Sequence, residues 1–209
     1  MARLALALAA TAATTSALVA PTAKKTVSAT ALNYDPSDFS DVQALPGILD
    51  PVGFFDPANL AADANESELK RYREAELTHG RVAMLASVGF LVGESGATPL
   101  FGGNIDGIAI NQFWKVPTGF WPVILLFIAV PETFRALRGW MEPTVPENYF
   151  VLRAGYTPGD IDFDPLGLCP EDPEEFKIMQ TKELQHGRLA MLAAAGMIVQ
   201  ELQTGNTLF

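Results

Sequence analysis

The chain has 209 residues, a net charge of −10, 49% hydrophobic residues and one cysteine, Cys169. Acidity argues against nucleic acid as a partner, and one cysteine excludes an intrachain disulfide framework. No glycine-rich phosphate loop, dinucleotide fingerprint or paired CxxC occurs.

Residues 1–31 read as a targeting leader. Met1-Ala2-Arg3 gives a positive start, Leu4 to Ala10 is a short apolar run, and small residues follow up to Pro21. The first half fits a secretory signal peptide. The second half is basic, hydroxylated and free of acids until Asp35, as transit peptides are. A two-part leader suits a plastid reached through an outer secretory membrane. Residues 32–65 follow as an irregular acidic segment punctuated by Pro36, Pro46, Pro51 and Pro57.

Residues 66–95 form the first expected helix, opened by Glu66 and Glu68 where the helix dipole favours acids. It contains Glu76-Leu77-Thr78-His79-Gly80-Arg81-Val82-Ala83-Met84-Leu85. A near-copy, Glu183-Leu184-Gln185-His186-Gly187-Arg188-Leu189-Ala190-Met191-Leu192, lies 107 residues on. Identity continues at Ala86/Ala193, Gly89/Gly196 and Glu94/Glu201. Such a repeat marks one supersecondary unit used twice.

A Gly-rich connection spans 96–116, and the second helix runs from about 117 to 140, with kinks expected at Pro122 and Pro131. Glu132 and Arg135, three apart, can pair within it. A second Pro-rich acidic loop fills 141–173. Its Phe163-Asp164-Pro165 echoes Phe55-Asp56-Pro57, so the repeat covers the loop as well as the helix. The third helix spans about 173–203. Gln200 lies on nearly the same face as His186, whereas the matching position in the first copy is Gly93.

Within each copy, Glu and His share a face, but Arg sits about 140° away from Glu. Glu76 is therefore poorly placed to pair with Arg81. If the first and third helices cross about a pseudo-two-fold axis, Glu76 meets Arg188 and Glu183 meets Arg81, since isologous contacts come in reciprocal pairs. Small residues at Gly80, Ala83, Ser87, Gly187, Ala190 and Ala194 suit a close crossing.

Val82–Gly93, Val116–Pro131 and Leu189–Gln200 carry no charge, yet each is shorter than the ~20 residues that span a bilayer. Counting from Glu76 to Gly93 gives 18 residues, about 27 Å of helix. The charges then sit within the membrane boundary, where an unpaired one costs about 2.5–3.5 kcal/mol and mutual pairing compensates. In a three-span arrangement Lys70, Arg71, Arg73, Arg81, Arg135, Arg138, Arg153, Lys177, Lys182 and Arg188 share one side and Lys115 stands alone on the other. That asymmetry puts the N-terminus on the inner, positive side. The alternative is a soluble bundle of three amphipathic helices.

Two Glu-x-x-His helices suggest metal. A di-iron oxidase site needs two such helices plus a Glu from each of two more, and only one further long helix is expected. The other reading is magnesium held in a chlorophyll. A Glu ligand leaves one negative charge, and the facing Arg cancels it, so the Glu–Mg–Arg unit is neutral in lipid. Gln200 is then a neutral oxygen ligand.

On the two decads, on Gly159-Asp-Ile-Asp-Phe-Asp-Pro-Leu-Gly-Leu168, on Glu132-Thr-Phe-Arg135 and on Val199-Gln-Glu-Leu-Gln-Thr-Gly205, the chain resembles the light-harvesting chlorophyll-binding superfamily of thylakoid membranes. It is most similar to fucoxanthin chlorophyll a/c-binding proteins of algae with secondary plastids. The resemblance implies an all-α membrane protein with three transmembrane helices and an antenna domain at 32–209. It implies chlorophyll ligation by Glu76, His79, Glu132, Glu183, His186 and Gln200, with Arg81, Arg188 and Arg135 balancing charge. The implied cofactors are chlorophyll a, chlorophyll c and fucoxanthin or a related carotenoid, whose ends the Phe-Asp-Pro loops hold. The implied partners are a photosystem I or II core, neighbouring antenna subunits and thylakoid lipid. The N-terminus would be stromal and the C-terminus lumenal. Excitation transfer is the implied function, without enzymatic chemistry; the alternative within the family is a photoprotective member that dissipates excitation.

Overall fold

The computed structural model describes residues 35–36, 38–95, 102, 105 and 107–208. The expected leader at 1–31 lies outside the described residues. Four α-helices follow one another: α1 (Glu66–Glu94), α2 (Ala109–Lys115), α3 (Trp121–Gly139) and α4 (Pro173–Thr204). Short 3₁₀ turns occupy Val42–Ala44, Thr118–Phe120 and Pro146–Asn148.

Local chemistry sets the helix ends. Asn65 caps α1 by accepting from Glu68 N, while the Glu68 side chain reaches back to Asn65 N, so two orphan donors are satisfied together. Asp172 caps α4 and Pro173 opens it, where the missing N–H costs nothing. Gly205 ends α4 in the left-handed region (φ 64°), a stop that glycine adopts without strain. Pro122 stands in the first turn of α3, so it starts this helix where the spacing predicts a kink; Pro131 lies inside it. The helix therefore begins at Trp121, behind a 3₁₀ turn, and not at 117. The seven-residue α2 lies within the Gly-rich connection, where so short a segment carries too few turns for hydrophobic periodicity to register.

α1 and α4 pack on each other through a stripe of small residues. The buried positions Leu77, Gly80 and Ala83 of α1 match Leu184, Gly187 and Ala190 of α4 at the 107-residue offset. At the centre the two backbones nearly touch. A Cβ placed on Gly80 would lie 3.0 Å from Gly187 Cα, and one on Gly187 would lie 3.0 Å from Gly80 Cα. Ser87 Oγ donates to Ala83 O at 2.9 Å, in its own helix, and lies 3.4 Å from Ala190 O across the contact.

Away from this seam the helices expose apolar surface. Val82, Leu85, Leu189 and Leu192 are 61–76% exposed, and α3 buries only Gly139. Among the described residues, one stretch, Thr118–Gly139, is by itself long and apolar enough to cross a membrane. α1 and α4 fall short of that measure because their first halves are charged. Water is a poor solvent for such a surface; hydrocarbon or bound apolar ligands are good ones.

Gly80→Val is expected to force the seam apart. Overpacking a tight contact costs about 1–3 kcal/mol, so the thermal midpoint followed by helical circular dichroism should fall. Gly89→Ala, where an added Cβ meets nothing within 4 Å, should leave it unchanged.

Candidate functional site

The repeated decads place their charged groups at the α1–α4 crossing. Arg188 Nε donates to Glu76 Oε1 at 2.7 Å, and Arg81 Nε donates to Glu183 Oε1 at the same distance. Each arginine also holds a loop. Arg188 Nη1 donates to Gly47 O (2.6 Å) and Arg81 Nη1 to Gly159 O (2.8 Å). Gly47 and Gly159 have φ of +97° and +84°, a region that disfavours any side chain, and a Cβ there would strike Leu184 and Leu77 respectively. Two Pro-Gly turns thus seat against two helices through the same contacts.

The histidines sit beside these pairs on exposed helix surface. His79 Nδ1 lies 2.7 Å from Ala75 O, and His186 Nδ1 lies 2.7 Å from Lys182 O. A carbonyl only accepts, so Nδ1 is the donor, and Nε2 is the ring nitrogen outside this contact. An Nδ1 held on a carbonyl orients the ring, as a metal-ligating histidine needs. Gln200 is exposed further along α4. On α3, Glu132 Oε2 accepts from Arg135 Nε (3.1 Å) and lies 3.0 Å from Arg135 Nη2. Among the described residues no group of three or more His, Cys, Asp or Glu side chains could hold a metal ion. The ligand cluster that a di-iron oxidase requires is not assembled there.

The turns carry a second repeated device. Asp56 accepts from Leu60 N and Ala61 N, and Asp164 accepts from Leu168 N and Cys169 N, at the same spacings. The N–H groups of Cys169 and then Leu168 hold the Asp164 carboxyl below its usual 3.8. Its contribution to the turn is fully present above that value and is lost as pH falls through the lowered one.

Several site residues carry no signal of their role in the sequence. Glu74 is 2% exposed and is the node between α1, α3 and the second loop. Its Oε1 accepts from Arg135 Nη1 (3.2 Å), and its Oε2 from Gly159 N (2.7 Å) and Tyr156 OH (3.1 Å). Burial, and next the Glu74 charge, raise the Tyr156 phenol well above its ordinary value, so it stays a donor. Arg135, expected to serve Glu132 alone, also donates to Thr78 Oγ1 at 2.7 Å. At the other end, Glu94 accepts from Ala109 N and Leu208 N, while Glu201 accepts from Ile110 N. The identity of Glu94 and Glu201 is visible in sequence, but nothing there points to the backbone that they hold. Gln112 explains Gly93. Its Nε2 donates to Gly93 O, and its Oε1 would stand 2.7 Å from a Cβ at that position.

A family model described as chlorophyll A-B binding protein matches residues 41–202. The chain belongs to the chlorophyll A-B binding protein family. Among its relatives is light-harvesting complex stress-related protein 3.2 of Chlamydomonas reinhardtii, 48% identical over 82% of this chain and 68% of that one. A fucoxanthin-chlorophyll a-c binding protein of Isochrysis galbana is 50% identical over 78% of both chains. Fucoxanthin-chlorophyll a-c binding protein F of Phaeodactylum tricornutum is 34% identical over 74% of this chain and 77% of its own. This chlorophyll A-B binding protein is thus an all-α membrane protein of the light-harvesting superfamily, similar to its fucoxanthin-chlorophyll branch, and its task is pigment binding and not enzymatic catalysis.

The two cross-helix pairs are expected to differ in tolerance. Glu76 also lies 3.0 Å from Arg73 Nη1, whereas the position matching Arg73 ahead of Glu183 is uncharged Gln180. Arg81→Leu should cost about 1 kcal/mol by leaving the half-buried Glu183 carboxylate short of a donor. Arg188→Leu should cost less, because Arg73 remains. Thermal melts of the two variants side by side check this order.

Proposed function

We propose that the chain is a light-harvesting antenna of a plastid thylakoid membrane, binding chlorophyll a, chlorophyll c and fucoxanthin or a related carotenoid. One observation carries the reading: two matching Glu–His–Arg constellations whose exposed histidines turn Nδ1 to a backbone carbonyl one turn back, leaving Nε2 outside that contact. A chlorophyll presents magnesium with an open axial position inside a large apolar ring. The donor set fits it, since exposed Val82 and Leu85 follow His79 on α1 and exposed Leu189 and Leu192 follow His186 on α4. The names of the fucoxanthin-chlorophyll relatives support the pigment classes.

In this reading Glu76, His79, Glu132, Glu183, His186 and Gln200 would hold the chlorophyll magnesium ions. Arg188 and Arg81 neutralise Glu76 and Glu183 from the opposite helix, and Arg135 neutralises Glu132, so no net charge stands in lipid. Bound chlorophyll and carotenoid supply light absorption and excitation transfer. The polypeptide fixes distance and orientation: the Gly80–Gly187 contact sets the helix separation, and the Nδ1 bonds set the ring planes of the histidines. The two loops anchored on Gly47 and Gly159 flank the grooves of the crossing, and carotenoid ends would rest there.

α1, α3 and α4 each cross the membrane, with α1 and α4 related by a pseudo-two-fold axis and α2 at the lumenal surface. The N-terminus is stromal and the C-terminus lumenal, as the one-sided lysines and arginines support. A photosystem core and neighbouring antennae receive the excitation.

A second reading, photoprotective dissipation, is favoured by the similarity to stress-related relatives, at 48% and 46% identity. The two readings part on excited-state lifetime. An antenna should keep a nanosecond-scale chlorophyll fluorescence lifetime in detergent at both neutral and acidic pH; a dissipating member should shorten it several-fold in acid.

The first test is pigment extraction together with a fluorescence-excitation spectrum of the protein purified in mild detergent. Chlorophyll a and c with a carotenoid band that sensitises chlorophyll a emission is expected. A colourless protein overturns the reading. His79→Leu and His186→Leu should each lose one chlorophyll per chain.

A further inference from the structure

α3 is held unusually lightly. No residue between Trp121 and Gly139 is buried. At its start, Trp121 meets Phe113 of α2, with ring centroids 4.4 Å apart. At its end, Gly139 lies against the Tyr156 ring and Arg138 pairs with Asp162. Contacts at the two ends place a helix but leave its rotation about its own axis poorly defined. A tie further in is needed to fix that, and Arg135 supplies it by reaching Glu74 and Thr78 of α1. Glu132 is three residues from Arg135 on the same face. Fixing Arg135 therefore fixes the direction in which Glu132 points.

The repeat shows what the carboxylate at position 74 adds. The matching residue in α4 is Thr181, whose Oγ1 accepts from Gly47 N at 3.2 Å, just as Glu74 accepts from Gly159 N. A neutral hydroxyl is thus enough to seat a loop. The longer, charged side chain does something more at the one copy that faces a third helix: it reaches Arg135 and Tyr156. Its nearly complete burial means that these bonds form away from solvent.

We propose that Glu74 is a positioning residue for the pigment site on α3. Through Arg135 it sets the rotation of that helix and so the orientation of a chlorophyll on Glu132 relative to those on α1 and α4. This rests on the reading of Glu132 as a ligand. Glu74 itself is buried against Arg135, Tyr156 and Gly159 and is not one of the proposed ligands. Because coupling between pigments depends on mutual orientation, the effect belongs in the spectrum more than in overall stability.

The test reconstitutes the full chain with chlorophyll a, chlorophyll c and carotenoid, and compares wild type with Glu132→Ala, Glu74→Thr and the double variant. Glu74→Thr copies the residue that the protein uses at the matching site, so it can still accept from Gly159 N but no longer reaches Arg135. It should remove the visible circular-dichroism component that Glu132→Ala removes, leave the other components in place, and add nothing to Glu132→Ala in the double variant. A wild-type spectrum for Glu74→Thr beside a changed one for Glu132→Ala overturns the proposal. Loss of all components in proportion overturns it too, since that is a fold defect. Unchanged pigment content and spectrum in Glu132→Ala overturn the ligand reading, and the inference falls with it. If Glu74→Thr does not assemble, Glu74→Gln decides: selective loss of the same component supports the proposal, and a wild-type spectrum or failure to assemble overturns it.

Discussion

The structure depends on charge neutralisation where water is scarce. A carboxylate and a guanidinium set in apolar surroundings are each costly alone and tolerable together. Neither decad can neutralise itself, because its arginine lies on the wrong side of its own helix. The solution is exchange: each helix supplies the cation for the other's acid, and the helices must approach closely enough for a 2.7 Å contact. Glycine at 80 and 187 follows from that requirement, since the two backbones leave no room for a Cβ between them. The loops follow as well, because each arginine directs a second N–H to a glycine carbonyl of the Pro-Gly turn that seats against it. Crossing, loops and candidate ligands form one connected set.

The departures from the repeat are as informative as the repeat. Thr181 holds one loop with a hydroxyl, while Glu74 holds the other and also the third helix. Gln200 extends from α4, whereas its counterpart Gly93 has no side chain because the Gln112 amide of α2 occupies that space. Gln185 bonds the Gly47 carbonyl, while Thr78 in the same place turns to Arg135. At Glu74, Gly93 and Thr78 alike, the difference occurs where α2 or α3, which have no duplicate, meets the duplicated pair.

The helices share little side-chain core. Apolar residues that would be interior in a water-soluble bundle lie open along α1, α3 and α4, and the apolar side chains buried on α1 and α4 are Leu77, Ala83, Leu184, Ala190 and Ala194. This is consistent with membership of a pigment-binding membrane family. The polypeptide reserves its tightest helix contact for Gly80 and Gly187, where a few tenths of an ångström matter.

Much of this is open to reading from residues alone. Three uncharged apolar runs, the proline punctuation and the acids Glu66 and Glu68 define long helices, because these signals are local. The Glu–His–Gly–Arg duplication and the helical geometry of its spacing indicate a reciprocal crossing, because three- and five-residue separations translate directly into angles. Other features belong to the tertiary structure. Glu74 looks like one more acid in the charged first half of α1, and only the approach of Arg135, Tyr156 and Gly159 from elsewhere in the chain makes it a node. Gly47 looks like an ordinary turn glycine until Arg188 arrives at its carbonyl. The ring orientations of His79 and His186 follow only from rotamers that bring Nδ1 to a carbonyl one turn back. The sequence by itself determined the elements, their duplication and the residue types at the site. The further partners that each charge acquires, Arg135 at Glu74 and Gly47 at Arg188, were decided by the fold, since those are relations between segments 61 and 141 residues apart.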